Sequence, residues 1–135
     1  MLFLVLNKTP NQRWNEEVLR YKKKCQSILG ISPSIRYVGL VNEYGRTLTG
    51  MIRPGTSILL KPEPARNEFF LTSTLFSMRN KIDAAIGKMD YAIFKHDKVI
   101  LLVFQSKEGI YYISLNHNAT ADSVAKIIAK IKKTI

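Results

Sequence analysis

Cysteine, histidine and long apolar runs are scarce in this chain, and each scarcity excludes a class of site. The single cysteine, Cys25, excludes an intramolecular disulfide and any zinc site built on several cysteines. The two histidines, His96 and His117, are too few for the three or four protein ligands that zinc usually takes. The longest apolar runs, Val99 to Phe104 and Met1 to Leu6, are far shorter than the roughly 20 residues of a membrane-spanning helix. We therefore expect no metal, no cofactor and no membrane partner.

The start of the chain also lacks the features of a secretory signal. No basic residue precedes the apolar run Met1 to Leu6, and no small-residue cleavage site follows it. We interpret residues 1–13 as an N-terminal extension or an extra strand. With one cysteine and no signal, the protein is expected to be cytoplasmic. Its 135 residues fall within the usual range for one domain, so residues 1–135 are predicted to form a single domain.

Acidic residues are few, whereas basic residues are abundant. Twenty-one Lys and Arg against ten Asp and Glu give a net charge of +11. Both halves of the chain are basic, and the dense run is Lys22-Lys23-Lys24. A charge of this size attracts nucleic acid or acidic proteins. Because no base-reading motif accompanies it, any binding of nucleic acid is expected to be electrostatic and non-specific.

Apolar periodicity and turn residues predict three helices and five strands. Asn15 is a candidate N-cap for a helix over 15–29 that Gly30 would close in a left-handed conformation, and Thr120 is a candidate cap for the last helix. The other predicted elements are the hairpin Ile35 to Val41 and Thr47 to Ile52, a loop over 53–66, a helix over 67–86, and strands Tyr91 to Lys95, Val99 to Phe104 and Ile110 to Leu115. The order α-β-β-α-β-β-β-α predicts an α+β fold, in which helices flank a five-stranded antiparallel sheet.

The middle helix is predicted to be apolar on two sides. A stripe of apolar residues at helical spacing is predicted to face the core: Leu71, Leu75, Met78, Ile82, Ala85 and Ile86. Phe69, Ser73 and Phe76 then lie on the opposite side. Two interpretations of this second side stay open. Either Met1 to Leu6 or the loop Ile58-Leu59-Leu60 covers it, or it forms a subunit interface.

Residues able to carry catalysis are not grouped in this sequence. Cys25 lies on the apolar face of the first helix, so a buried core thiol is favoured over a reactive nucleophile. His96 and His117 are expected in solvated loops. The carboxylates are scattered, and the glycines are spaced through a hairpin rather than gathered before a helix. We therefore expect no enzyme activity, no catalytic residue and no nucleotide site.

The hairpin from Val38 to Gly50, with its turn Asn42-Glu43-Tyr44-Gly45, resembles the roadblock/dynein light chain superfamily. Tyr44 stands where that family usually has an acidic residue before the glycine. The order of segments is also similar to a family of small proteins from ammonia-oxidising archaea. The residues that carry this second resemblance are Ile35-Arg36 and Tyr91 with Asp97-Lys98-Val99. Together the resemblances cover about residues 15–133.

The resemblance implies a profilin-like fold and a non-enzymatic adaptor or regulator, commonly dimeric and commonly a partner of small GTPases. It also places the strand Tyr91 to Lys95 at a sheet edge, open to a second copy. The implied homodimer interface consists of Phe69, Ser73, Phe76, Tyr91, Ile93 and Lys95. Expected partners are a second copy, and a small GTPase or other acidic protein. A basic nucleic-acid-binding protein and a small-ligand sensor are the alternatives.

Overall fold

A five-stranded antiparallel sheet forms the centre of the molecule, as predicted. The computed structural model describes residues 8–135, so Met1 to Leu6 lies outside the described residues. The strands are β1 (Ile35–Val41), β2 (Thr47–Ile52), β3 (Tyr91–Lys95), β4 (Val99–Gln105) and β5 (Ile110–Asn116). They lie in the order β2-β1-β5-β4-β3, which puts β3 at one edge of the sheet. The position predicted for this strand is thus confirmed.

Helices cover both faces of this sheet. The helices are α1 (Pro10–Leu29), α2 (Pro62–Arg79), the short α3 (Asp83–Ile86) and α4 (Ala121–Thr134). A 3-10 turn, Asn80–Ile82, joins α2 to α3. The observed order of the main elements agrees with the predicted order α-β-β-α-β-β-β-α. Within residues 8–135, no helix is long and apolar enough to cross a membrane.

Two helices begin about five residues before their predicted starts. The N-cap of α1 is Thr9 and not Asn15. The Thr9 side chain accepts a hydrogen bond from the Gln12 backbone N–H, and the Gln12 side chain accepts one from the Thr9 backbone N–H. Pro10 at the first helical position supplies a preset φ. This capping box was readable in the sequence. Residues 10–13 are therefore helical rather than part of an extension.

The helix ends differ from prediction as well. Gly30 has φ −76° and is not left-handed, so it ends α1 in an ordinary right-handed conformation. The helix α2 begins at Pro62 and not at Asn67, which shortens the preceding loop. It stops at Arg79 because the backbone tightens into the 3-10 turn, whereas a single helix to 86 was predicted. The cap at Thr120 is confirmed, since its side chain accepts from the Ser123 N–H.

The larger core lies between the sheet and the pair α1 and α4. Cys25 and Ile28 from α1 belong to this core, together with the apolar stripe of α4. Both helices pack on the residues of β1, β4 and β5 that point to their side of the sheet. The stripe of α4 is Val124, Ile127, Ile128 and Ile131. The prediction that Cys25 is a core residue is confirmed, since its exposure is zero.

The smaller core lies on the other face, under α2. There Phe69 and Phe76 pack on outward residues of β1, β4 and β5. The turn between β1 and β2 fixes how closely α2 approaches. Gly45 has φ +82°, and a Cβ at this position would lie 2.7 Å from the Phe70 Cα. Glycine at position 45 therefore permits both the turn and the seating of α2.

Candidate interaction surfaces

The helix α2 faces the sheet through the residues that were predicted to lie outside. Phe76 is only 2% exposed, and Phe69, Thr72 and Ser73 are also buried. The Phe69 ring meets Tyr112 edge to face at 5.0 Å, and it stacks near Tyr37 at 6.4 Å. Ser73 Oγ donates to the carbonyl of Asn42 at 3.2 Å. Phe69, Ser73 and Phe76 thus make an internal contact.

The opposite side of α2, together with the 3-10 turn that follows it, carries the stripe that was predicted to be core. Leu71 is 62% exposed and Met78 is 61% exposed; Leu75 and Ile82 are exposed too. We call these four residues the outer apolar face. Ala85 and Ile86, which were predicted to belong to the same stripe, are likewise exposed, on the short α3. The prediction that they face the core is wrong, because the helix is comparably apolar on both sides and periodicity could not choose between them. Side-chain packing determines which side of α2 faces the sheet. Ser73 is small enough for close approach to the end of β1, and Phe69 fits between two tyrosines.

The edge strand β3 presents a second apolar surface. Tyr91, Ile93 and Lys95 pair with Phe104, Leu102 and Ile100, so they point to the side of α1 and α4. Tyr91 and Ile93 are exposed all the same, at 38% and 46%, although the ammonium group of Lys132 on α4 lies 5.9 Å from the centre of the Tyr91 ring. A groove of about 460 Å³ lies between β3 and α4, where Ala121 and Ala125 leave room. In the described part of the chain, the outer edge of β3 has no partner strand.

A wider pocket opens on the α2 side, at the end of the sheet where β1 begins. Its volume is about 730 Å³, within the range of small-molecule sites. Exposed apolar residues of the loop after β2, Ile58-Leu59-Leu60, form one wall. Arg36, His96 and Lys98 are among its polar lining residues. In the described part of the chain, α2 covers this face and leaves the pocket open beside it.

A hydrogen-bonded pair lies among the residues lining this pocket. Tyr112 Oη donates to Glu68 Oε2 at 2.8 Å, and Thr72 Oγ1 approaches the other carboxylate oxygen at 3.4 Å. Burial, followed by the neighbouring Glu68 carboxylate, raises the pKa of Tyr112. Burial also raises the pKa of Tyr37 to about 12. Both phenols are therefore neutral at physiological pH and act as hydrogen-bonding groups, not as bases.

The remaining candidate residues are not assembled into a site. His96 and His117 are exposed in separate loops, as expected. Burial raises the pKa of the Cys25 thiol to about 11, so it is protonated at neutral pH. Within residues 8–135, no group of three His, Cys, Asp or Glu side chains is placed to hold a metal ion.

Sequence reasoning missed Glu108 as an organising residue. Its carboxylate lies in the turn between β4 and β5, and it accepts from Lys24, Tyr111 and Ser106. Burial opposes ionisation of Glu108, but these donors outweigh it and hold its pKa below the usual value. The contact joins α1 to the sheet, so Glu108 has a structural role.

Comparison with known proteins gives similarity of structure but not of sequence. No protein-family model and no curated protein sequence matches the chain. The gliding protein MglB from Thermus thermophilus has a TM-score of 0.69 at 15% identity, over 87% of this chain and 84% of its own. A roadblock/LC7 domain from Streptomyces avermitilis has a TM-score of 0.58 at 15% identity, over 82% and 90%.

A third similar structure is an MglB with a tetrameric arrangement. Its TM-score is 0.64 at 12% identity, over 87% of this chain and 92% of its own. At such identities the similarity establishes the fold alone. The α-β-β-α-β-β-β-α order and the strand order β2-β1-β5-β4-β3 agree with this similarity. The chain thus has the roadblock/LC7 fold, as the resemblance of its hairpin implied.

Proposed function

We propose that the protein is a non-enzymatic interaction module that forms a homodimer through the outer apolar face and the edge strand β3. The observation that carries the proposal is the exposure of four large apolar side chains, three along one stripe of α2 and one, Ile82, in the 3-10 turn that follows it. Exposed stripes of this kind mark interaction surfaces in soluble proteins. They were predicted to be core because their spacing is that of a buried face.

The energy of burying this stripe is of the size that a dimer needs. Burying a fully exposed side chain of this kind contributes about 1.5–3 kcal/mol, and a two-fold axis buries each residue twice. The four side chains are between 40% and 62% exposed, so eight of them contribute roughly half of the full value, about 6–12 kcal/mol in total. This is comparable to the cost of lost translation, rotation and side-chain freedom, about 4–15 kcal/mol, so the pairing of β3 must contribute as well. Phe69, Ser73 and Phe76 are left out of the proposed interface, since they are already buried in their own chain.

The edge strand supplies the second half of the interface. Two β3 strands related by a two-fold axis pair antiparallel, which satisfies their free backbone donors and acceptors. Tyr91 and Ile93 then extend the apolar contact on the α4 side of the sheet. Lys95 opposes close pairing through repulsion of like charges, and its exposed side chain can turn into solvent.

The dimer would then serve as a docking platform for a second protein. The net charge of +11 favours an acidic partner, and the small GTPases implied by the resemblance belong in this proposal. An MglB with a tetrameric arrangement and the same fold supports assembly from several copies. The closer relation to proteins of ammonia-oxidising archaea, and a cytoplasmic location, stay predictions.

Light scattering of the wild type and of Leu71→Asp tests the homodimer. We expect a dimer at micromolar concentration for the wild type and a folded monomer for the variant, because a carboxylate cannot be buried unpaired at the axis. The matched control is Leu19→Asp, since Leu19 is a similarly exposed leucine (57%) on α1. A monomeric wild type, or equal dissociation by both variants, would contradict the proposal.

Small-ligand sensing is the second candidate, and the pocket of about 730 Å³ favours it. Apolar walls together with the Glu68–Tyr112 pair suit a compact apolar molecule that carries a hydrogen-bond donor. Native mass spectrometry of the purified protein tests it. We expect a bound mass that Leu101→Trp, which fills the pocket, removes. If the wild type carries no bound mass and gains none on incubation with tryptamine, the candidate fails.

A further inference from the structure

Positive charge is concentrated on one side of the molecule, although it looks dispersed along the chain. The helices α1 and α4 together carry nine basic and three acidic residues. On the other side, α2 carries two of each sign, namely Arg66 and Arg79 with Glu63 and Glu68. Counting charges by halves of the sequence misses this difference, because α1 and α4 come from opposite ends of the chain.

The excess charge is arranged on the solvent side of both helices. On α4, Lys126, Lys130 and Lys133 recur at i, i+4 and i+7, opposite the buried stripe. On α1, Arg20 and Lys23 occupy the equivalent outer position, away from Cys25 and Ile28. The helices lie side by side on one sheet face and contact each other. We call the surface formed by Arg20, Lys23, Lys126, Lys130 and Lys133 the basic face.

The acids near this surface leave most of its charge uncompensated. Glu16 pairs with Lys8 at 2.7 Å, and Glu17 lies 3.8 Å from Arg20. Glu108 and Asp90 pair with Lys24 and Lys132, which lie beside the basic face. Among the described residues, no ion pair involves the four lysines of the basic face. Four exposed, unneutralised ammonium groups thus share one surface.

We propose that the basic face binds the phosphate backbone of double-stranded nucleic acid, independently of base sequence. A helix rises 1.5 Å per residue, so the Cα atoms of Lys126 and Lys130 are about 6 Å apart along the axis. Cations attached at regular spacing to two adjacent helices suit a stiff polyanion with regularly spaced phosphates, and the flexible lysine side chains can adjust to it. Each lysine that neutralises a phosphate releases condensed counterions, which is the main source of non-specific affinity.

Apolar groups on the two helices decide against two other anionic partners. A single strand is usually held by aromatic side chains on which bases stack, and a bilayer surface by apolar residues that insert. On α1 and α4 the large exposed apolar residues are Trp14 and Leu19, both in the N-terminal half of α1. None accompanies Lys126, Lys130 and Lys133 on α4. The α4 part of the basic face therefore matches a backbone contact without stacking or insertion, whereas on α1 the exposed Leu19 lies one turn from Lys23.

This binding does not depend on the proposed homodimer, but the dimer would enlarge the surface. If two β3 strands pair about a two-fold axis, the sheet continues from one copy to the next. Both copies then place α1 and α4 on the same side. The monomeric Leu71→Asp variant keeps one complete basic face, so failure of the dimer and failure of nucleic-acid binding are measured separately.

Fluorescence anisotropy with a labelled duplex DNA of mixed sequence tests the proposal. The variant is Lys126→Ala, Lys130→Ala, Lys133→Ala. We expect it to bind about tenfold or more weakly than the wild type at about 50 mM salt. The slope of log affinity against log salt should fall by about 2 to 3, since about 0.9 is lost for each phosphate contact. Changing the duplex sequence should leave the wild-type affinity unchanged.

The matched control removes three other exposed basic residues, Arg46→Ala, Lys61→Ala, Lys98→Ala, which lie outside both helices. It has the same net charge as the test variant, and we expect its affinity to stay within about twofold of the wild type. Equal losses in both variants would overturn the proposal, because net charge alone would then explain binding. Absence of duplex binding at about 50 mM salt, or preferential binding to phosphatidylserine vesicles, would also overturn it.

Discussion

The two faces of the sheet differ in the size of the core that their helices bury and in the character of the outer surface that these helices present. Within residues 8–135, the pair α1 and α4 and the sheet face beneath them bury fifteen residues in one core, and the two helices present a charged outer surface. On the other face of the same described part of the chain, α2 and the sheet bury seven residues, and α2 presents an apolar outer surface. The larger core therefore carries most of the stability of the fold. The α2 side carries the surface that a partner can cover, at the expense of incomplete packing.

The largest expected effect compares two isoleucines on opposite faces of the central strand β5. Ile113 is fully buried in the α1 and α4 core, whereas Ile110 is 7% exposed on the α2 side. We expect Ile113→Ala to lower the free energy of unfolding by about 4 kcal/mol and Ile110→Ala by about 2 kcal/mol. Urea denaturation measures both. Equal losses of unfolding free energy would contradict the proposed difference between the two cores, since both would then be packed equally tightly.

The next effect concerns the seating of α2 on the β1–β2 turn. Gly45 and Gly55 both have φ +82°, but only a Cβ at position 45 meets a neighbouring helix. We expect Gly55→Ala to cost about 1–2 kcal/mol from the left-handed backbone. Gly45→Ala should cost more, because α2 must also move. The urea midpoints of the two variants give the difference between their losses of stability. Equal midpoints would mean that α2 moves away from the turn at no measurable cost.

A smaller effect is expected at Cys25, in the α1 and α4 core. Cys25→Ser should lower the free energy of unfolding by roughly a kcal/mol or so, because a hydroxyl replaces an apolar thiol in a buried site. Burial raises the pKa of this thiol to about 11, so the native protein should react slowly with a thiol reagent at pH 7. Labelling as fast as in urea would show that α1 opens readily.

The same two faces show what the sequence could predict and what it could not. Turn glycines, the Thr120 cap and β-rich runs predicted the order of elements, since these signals are local, whereas the edge position of β3 was implied by the family resemblance. The facing of α2 could not be predicted from periodicity, because Leu71 and Phe76 lie on comparably apolar sides. It depends on shape: Ser73 allows close approach, and Tyr37 and Tyr112 receive Phe69.

The candidate surfaces show the same difference between local signals, which the sequence contains, and long-range contacts, which it does not show directly. The edge position of the strand that holds Tyr91 and Ile93 was implied by the family resemblance and agrees with the strand order, and their role in an interface stays a prediction. The basic face was missed, since it combines Lys23 with Lys130 across most of the chain length. The early start of α1 was missed although Thr9, Pro10 and Gln12 signalled it. Long-range juxtaposition therefore limited prediction more than local propensity did.

The smallest expected effect is a pH dependence at the contact between α1 and the sheet. Donors from Lys24, Tyr111 and Ser106 hold the pKa of Glu108 below its usual value despite the opposing effect of burial. A carboxyl whose pKa is lower when folded contributes stability that is present above its unfolded pKa, near 4.3, and is lost as pH falls through its folded pKa. Because Glu108 is partly exposed, we expect its ionised form to contribute less than about 1 kcal/mol to the free energy of unfolding.

Urea denaturation of the wild type and of Glu108→Gln between about pH 3 and 7 measures this contribution. We expect the free energies of unfolding of the two proteins to converge at low pH. Glu16→Gln is the control, since Glu16 pairs with Lys8 on the exposed start of α1. A constant gap between wild type and Glu108→Gln at all pH values would show that Glu108 acts by packing and not by charge.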